Sequence, residues 1–205
     1  MTFGLKTFYV PALIGASVHV IVGITGASGI RYGVRLLECL PGHTTAVLSS
    51  EASRMCEGET GLTKEEIVAK ANDYWENDNL FSPLASGSIR FDAYVIVPCS
   101  MSTMSKIASG VADNLVTRIA SVALKERRKL VVVPRETPLS TIHLQNLLRL
   151  SEAGAIVMPA SPAFYPRPQN VDDVVDFVVG RIMDQLDIEH GLYKRWNGEY
   201  GRDQR

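Results

Sequence analysis

Small residues that end apolar runs are the first candidates for chemistry in this 205-residue chain. Gly26-Ala27-Ser28-Gly29 follows the β-branched run Val18 to Ile24 and precedes Ile30, Val34 and Leu37 at helical spacing. A strand, a tight turn and a helix in succession aim free backbone N–H groups and the positive helix end at a phosphate. Gly26 and Gly29 permit close backbone approach, and the Ser28 hydroxyl adds a donor. The spacing is neither the dinucleotide pattern GxGxxG nor that of a P-loop. The same residues would also suit an ordinary packed strand–helix junction. Ser100-Met101-Ser102-Thr103 repeats the logic after a second apolar run, Ala93 to Pro98.

Four cations stand where a phosphate ester could use them. Arg118 and Lys125 lie seven apart on one helix face, Arg135 sits just past a strand, and Arg181 falls on the last helix. Each charge-assisted hydrogen bond would contribute ~1.5–3 kcal/mol to holding a phosphate. A strand end inside an α/β crevice is rarely bulk surface, which favours Arg135. The other three are equally well read as solvated surface charges. Glu136, directly after Arg135, could move a proton or merely pair with its neighbour. Glu59 lies in an irregular stretch where nothing local argues for it. Tyr165 sits among prolines in a loop, placed to touch a ligand, and Trp196 lies in a polar tail where an exposed indole needs something to pack on. Asp172-Asp173-Val174-Val175-Asp176 matches a magnesium–diphosphate motif of all-helical prenyltransferases, but it follows Asn170, a good cap. Acids in a first helical turn simply complement the dipole.

The elements that must position these groups follow from periodicity. Apolar strands are expected at Val18–Ile24, Thr44–Leu48, Ala93–Pro98, Leu130–Pro134 and Ala155–Pro159. Helices are expected from Ile30, over Glu51–Glu57, Lys64–Trp75, Ser102–Ser109, Asp113–Arg127, Leu139–Glu152 and Val171–Leu186. Five strands alternating with helices make a three-layer, doubly wound parallel α/β sheet, flavodoxin/Rossmann-like in kind. Such sheets bind ligands at the carboxyl ends of their strands, where chain order reverses. The polar inventory there is Thr25 to Gly29, Ser49, Ser100 to Thr103, Arg135-Glu136 and Ala160 to Arg167.

Composition narrows the classes. Hydrophobic residues make up 46% and charged residues 21%, as in a globular protein, and the net charge of −1 gives no electrostatic case for nucleic acid or an anionic membrane. Cys39, Cys56 and Cys99 share no ligand spacing, so disulfides and a metal are not expected and a cytoplasmic location is. Residues 1–17 faintly imitate a signal peptide, but Pro11 and Gly15 interrupt the apolar run and no basic cluster precedes it. They read as a short extension before one domain, 18–205, and no stretch is apolar enough to span a membrane.

GITGASGIRYGVRLL, VPCSMSTMSKIASGVADNL, ALKERRKLVVVPRETPLSTIHLQNLLRLSEAGAIVMPASPAFY and DDVVDFVVGRI together resemble the UbiX-type flavin prenyltransferases. The resemblance runs from about Val20 to Trp196. It implies that FMN binds at Gly26, Ala27 and Ser28, with Ser49, Ser100, Met101, Ser102, Thr103 and Arg135 as further contacts. It implies that dimethylallyl monophosphate is held by Lys125, Arg135, Tyr165 and Arg181, with Arg118, Trp196 and Glu59 nearby, and that the catalytic set is Ser28, Glu59 and Glu136, of which Ser28 and Glu136 handle protons around the flavin. The implied reaction joins the dimethylallyl carbon to N5 of reduced FMN with loss of phosphate, closes a ring at C6, needs no metal, and supplies prenylated FMN to a UbiD-type decarboxylase. The implied assembly is a homo-oligomer, a dodecamer with sites between subunits and the C-terminal tail in its contacts. Two rival readings are an FMN-dependent cysteine decarboxylase of the same fold, which would need a catalytic histidine after the first turn, and a non-catalytic flavin-binding subunit of a decarboxylase.

Overall fold

The computed structural model describes residues 18–198. The expected extension at 1–17 and the end of the tail lie outside them. Six parallel strands form one sheet in the order β3-β2-β1-β4-β5-β6: β1 His19–Ile24, β2 His43–Leu48, β3 Asp73–Tyr74, β4 Ala93–Cys99, β5 Lys129–Pro134 and β6 Ile156–Val157. The helices are α1 Ile30–Cys39, α2 Ser50–Thr60, α3 Lys64–Val68, α4 Met101–Ala108, α5 Leu115–Lys125, α6 Thr141–Glu152 and α7 Val171–Gln185.

The central strands are apolar throughout because both faces are covered. Val20, Val22 and Ile24 of β1, Val95 and Val97 of β4, and Val131 and Val133 of β5 point into one core with α1, α2 and α7. The alternate residues, among them Ile21, Tyr94, Ile96, Leu130 and Val132, enter a second core with α4, α5 and α6. The three-layer, doubly wound architecture is as expected. Tyr94 is fully buried, donates to the Val116 carbonyl at 3.1 Å, and lies so close to β1 that a Cβ on Gly23 would meet its hydroxyl at 2.5 Å.

The helix expected over Lys64–Trp75 is a correction. It ends at Val68, and Asp73–Tyr74 instead forms a sixth strand on the edge beside β2. Asn72 decides this: its side-chain oxygen accepts from Thr44 N at 2.7 Å, and its own N–H donates to Thr44 O at 3.0 Å. Backbone pairing with β2 thereby replaces helix propagation. A two-residue strand is also too short to show a period of two.

Chain order reverses between β1 and β4, since β2 and β3 lie on one side of β1 and β5 and β6 on the other. The crevice at a doubly wound sheet's switch point therefore opens above the ends of β1 and β4.

Candidate active site

Thr25 builds the floor of that crevice. Its buried hydroxyl donates to Pro98 O at 2.8 Å and accepts from Ser100 N at 2.7 Å, while its N–H reaches Pro98 O at 3.1 Å. The ends of β1 and β4 are thus stapled together. Above them lies a recess of about 380 Å³ whose walls include Gly26, Ser49, Ser100, Ser102 and Thr103. Five of the expected flavin contacts therefore meet in one place. Ser49 caps α2 by accepting from Ala52 N at 3.2 Å, and Ser100 caps α4 by accepting from Thr103 N at 3.2 Å. Two helix heads converge on the recess among hydroxyls and turn their positive ends toward it. A Cβ on Gly26 would sit 2.3 Å from Glu51 Cβ, so the turn passes α2 at bare-backbone distance. Ala27 is buried, and Met101 turns its side chain into the second core. Burial pushes the Cys99 thiol up, which keeps this neighbour of the site protonated and unreactive.

Two residues of the expected catalytic set, Ser28 and Glu59, meet Arg135 at the next turn. The Glu59 carboxylate accepts from Gly29 N at 2.8 Å and Ile30 N at 3.0 Å, and Arg135 Nε donates to Ser28 O at 2.8 Å. The peptide linking Ser28 to Gly29 is held by an anion on its N–H side and a cation on its C=O side. This revises the reading of the first turn: the head of α1 already carries a carboxylate from α2, and the hydroxyl-rich cradle belongs to α2 and α4. Gly29 adopts φ 115°, open to glycine at little cost. Glu136 does not pair with Arg135; its carboxylate accepts from Thr137 N at 3.0 Å and is exposed.

A third group forms on α7. Tyr165 meets Phe177 edge-on at 5.8 Å and Trp196 at 5.6 Å between centroids, and Phe177 packs on Tyr193 at 4.8 Å. Arg181 donates to Asp184 at 2.8 Å, and Asp184 also takes Tyr193 Oη at 2.6 Å, Arg195 at 2.6 Å and the buried His190 at 3.1 Å. Burial pushes the Asp184 carboxyl up, but the hydrogen bonds from Arg195, Tyr193 and His190 outweigh it and hold it at about 2. Arg181 thus joins this cluster through Asp184 and Tyr193 and is not among the residues lining the recess. It lies ~15 Å along α7 from the helix start, at 1.5 Å per residue. The end of that helix is tied to the start of β5 by Lys129–Asp187 at 2.7 Å.

Lys125 also lies at the base of the sheet, four residues before β5, paired with Glu126. Arg118 is exposed on α5. Within one chain, Lys125 and Arg181 are therefore at the opposite end of the strands from Ser28 and Arg135. The Asp172–Asp176 run behaves as a helix start: Asn170 accepts from Asp173 N at 3.0 Å, Asp172 pairs with Arg31 and Asp176 with Arg35. Among the described residues no group of three or more His, Cys, Asp or Glu stands positioned to hold a metal ion. Nor is any described helix long and apolar enough to cross a membrane.

The flavoprotein family profile matches residues 15–183. Flavin prenyltransferase UbiX of Methanocaldococcus jannaschii is 53% identical over 179 residues, covering 86% of this chain and 97% of that protein. The chain belongs to the UbiX flavin prenyltransferase family. The UbiX of Thermoplasma acidophilum is likewise 53% identical over 179 residues, 87% of this chain and 99% of that one. Among solved UbiX structures, AnUbiX in complex with FMN and dimethylallyl pyrophosphate superposes with a TM-score of 0.89 at 40% identity, covering 90% of this chain and all of that one. A dodecameric FMN-dependent UbiX-like decarboxylase from Escherichia coli gives 0.86 at 44%, covering 88% of this chain and all of that one.

The recess of this UbiX-family chain also contains Asn77, Lys106 and Asn114, which sequence reasoning passed over. Asn77 accepts from Leu115 N at 2.7 Å through its carbonyl and from Val116 N at 3.0 Å through its side chain, and Asn114 caps α5. Asn114 was legible as a cap, and Lys106 as one turn beyond Ser102. Nothing local marks Asn77, which reaches α5 only through the fold.

Proposed function

We propose that this chain transfers a dimethylallyl group from a dimethylallyl phosphate to reduced FMN, at N5 and C6, releasing phosphate and giving prenylated FMN for a UbiD-type decarboxylase. The observation that carries this reading is the 53% identity to a flavin prenyltransferase over nearly the whole of both chains. The donor set of the recess fits a flavin phosphate: hydroxyls of Ser49, Ser100, Ser102 and Thr103 with the heads of α2 and α4. Gly26, Ala27, Ser28 and Met101 lie along the same edge, and Arg135 beside them. Bound reduced FMN supplies the nucleophilic ring atoms. The protein's part is to hold the ester, to stabilise the phosphate as negative charge gathers on it, and to keep water away from the allylic carbon. Arg118, Lys125, Arg135, Tyr165, Arg181 and Trp196 take the first two roles, and Ser28, Glu59 and Glu136 move protons.

These residues come from both ends of the sheet, so a complete pocket needs neighbouring copies of the chain in a homo-oligomer, a dodecamer. The solved dodecameric relative supports this. Residues 18–205 serve as one flavin-binding domain whose tail joins the assembly. Three free cysteines among the described residues fit a reducing cytoplasm.

The test is a mass spectrum of the flavin after anaerobic incubation of the purified protein with reduced FMN and dimethylallyl monophosphate, with the diphosphate in a parallel arm. The expected result is a flavin heavier by one five-carbon unit in the monophosphate arm. An unchanged flavin with either ester, or decarboxylation of a cysteinyl peptide in its place, would overturn the proposal.

A further inference from the structure

Among the residues lining the recess above β1 and β4, Lys106 is the one cation. It stands on α4 four residues after Ser102 and three after Thr103, on the face that both present to the recess. Its ammonium donates to Asp113 Oδ2 at 2.7 Å, with side chains 39% and 50% exposed. An ion pair this open to water holds its partners weakly, so a stronger anion can take the ammonium. Asp113 is fixed from the other side, since its Oδ1 accepts from Asn114 Nδ2 at 3.0 Å. The pair can therefore open by movement of the lysine alone.

The recess also holds a carboxylate. Glu51, in the first turn of α2, accepts from Ser50 Oγ at 3.0 Å. Its own backbone N–H, and after that the Ser50 hydroxyl, keep it below the usual carboxylate range. A dianionic phosphate entering here meets helix heads and hydroxyls, which carry only partial charge, and one full negative charge. Without a cation the balance is poor. Arg54 lies in the adjoining recess with Lys64 and Glu76 and does not line this one.

We propose that Lys106 is the charge partner of the flavin phosphate, held by Asp113 until the phosphate displaces it, and that it sets this chain's preference for FMN over phosphate-free riboflavin. The inference rests on reading the recess as the flavin-phosphate site, and it assigns that site a residue and a selectivity.

Titration of the full-length apoprotein with FMN and with riboflavin, followed by flavin fluorescence, tests it. Lys106→Gln should raise the FMN dissociation constant roughly 10- to 100-fold, the loss of one charge-assisted hydrogen bond, with little change for riboflavin. Lys106→Arg keeps the charge and should restore most of the FMN affinity. Asp113→Asn frees the lysine and should tighten FMN binding a few-fold. Equal weakening toward both flavins would mean a structural role for Lys106, and an unchanged FMN constant no role; either overturns the inference. A wild-type protein that binds FMN no better than riboflavin would instead remove the recess as a phosphate site.

Discussion

At the scale of single residues, the site depends on side chains that hold backbone rather than ligand. Thr25 is the clearest case. Its hydroxyl is 1% exposed and is both donor and acceptor between β1 and the start of α4. Thr25→Val keeps the shape and strands the Ser100 N–H, while the Pro98 carbonyl keeps only the backbone N–H of residue 25, so it should cost about 1–3 kcal/mol. Thr25→Ser should recover most of that. Urea titrations of the three proteins check it, and equal midpoints for valine and threonine would show that water satisfies those groups. Glu59 and Arg135 act in the same way on the Ser28–Gly29 peptide. Glu59 also shows where residue-level reading stops. In the sequence it is one acid among many, and resemblance alone singled it out. What it touches is thirty residues away, at the head of another helix.

At the scale of elements, α7 and the chain after it make one unit through Asp184. The carboxylate gathers Arg181, His190, Tyr193 and Arg195, and its pKa of about 2 lies below the ordinary 3.8. A depressed carboxylate contributes stability that is fully present above its unfolded pKa. That contribution is lost as pH falls through the folded value. Here the window is pH 4 down to about 2, and the contribution at neutral pH is on the order of 2 kcal/mol. The stability gap between wild type and Asp184→Asn should therefore be wide at pH 7 and shrink steadily below pH 4. A gap constant with pH would assign the loss to packing. The elements themselves were largely legible: the β-branched runs gave five of six strands, and Ser49, Thr63, Ser100 and Asn170 all cap where their types suggest. The edge strand at Asp73–Tyr74 was not, because two residues carry no period and a pairing with Thr44 decided it.

At the scale of the whole molecule, the candidate residues fall into groups at opposite ends of one sheet. Ser28, Glu59 and Arg135 lie at the carboxyl end, and Lys125 and Arg181 at the base. If pockets form where copies of the chain meet, two inactive variants should complement each other. Co-assembled Arg135→Ala and Arg181→Ala chains should regain a fraction of prenyl transfer that neither has alone, since some pockets receive both native arginines. Transfer by the mixture no greater than by either variant would place both residues in one subunit's contribution. The sequence by itself determined the layer architecture, the helix caps, the cluster of hydroxyls at the strand ends and the family. Those follow from local periodicity, from turn chemistry and from motifs that survive as contiguous strings. Only the tertiary structure decided that Glu59 fills the head of α1, that Lys106 rather than Arg135 faces the hydroxyl recess, and that the remaining cations stand apart. These are matters of which distant segments the parallel crossovers bring side by side, and each crossover carries its helix's far end back to the base of the sheet.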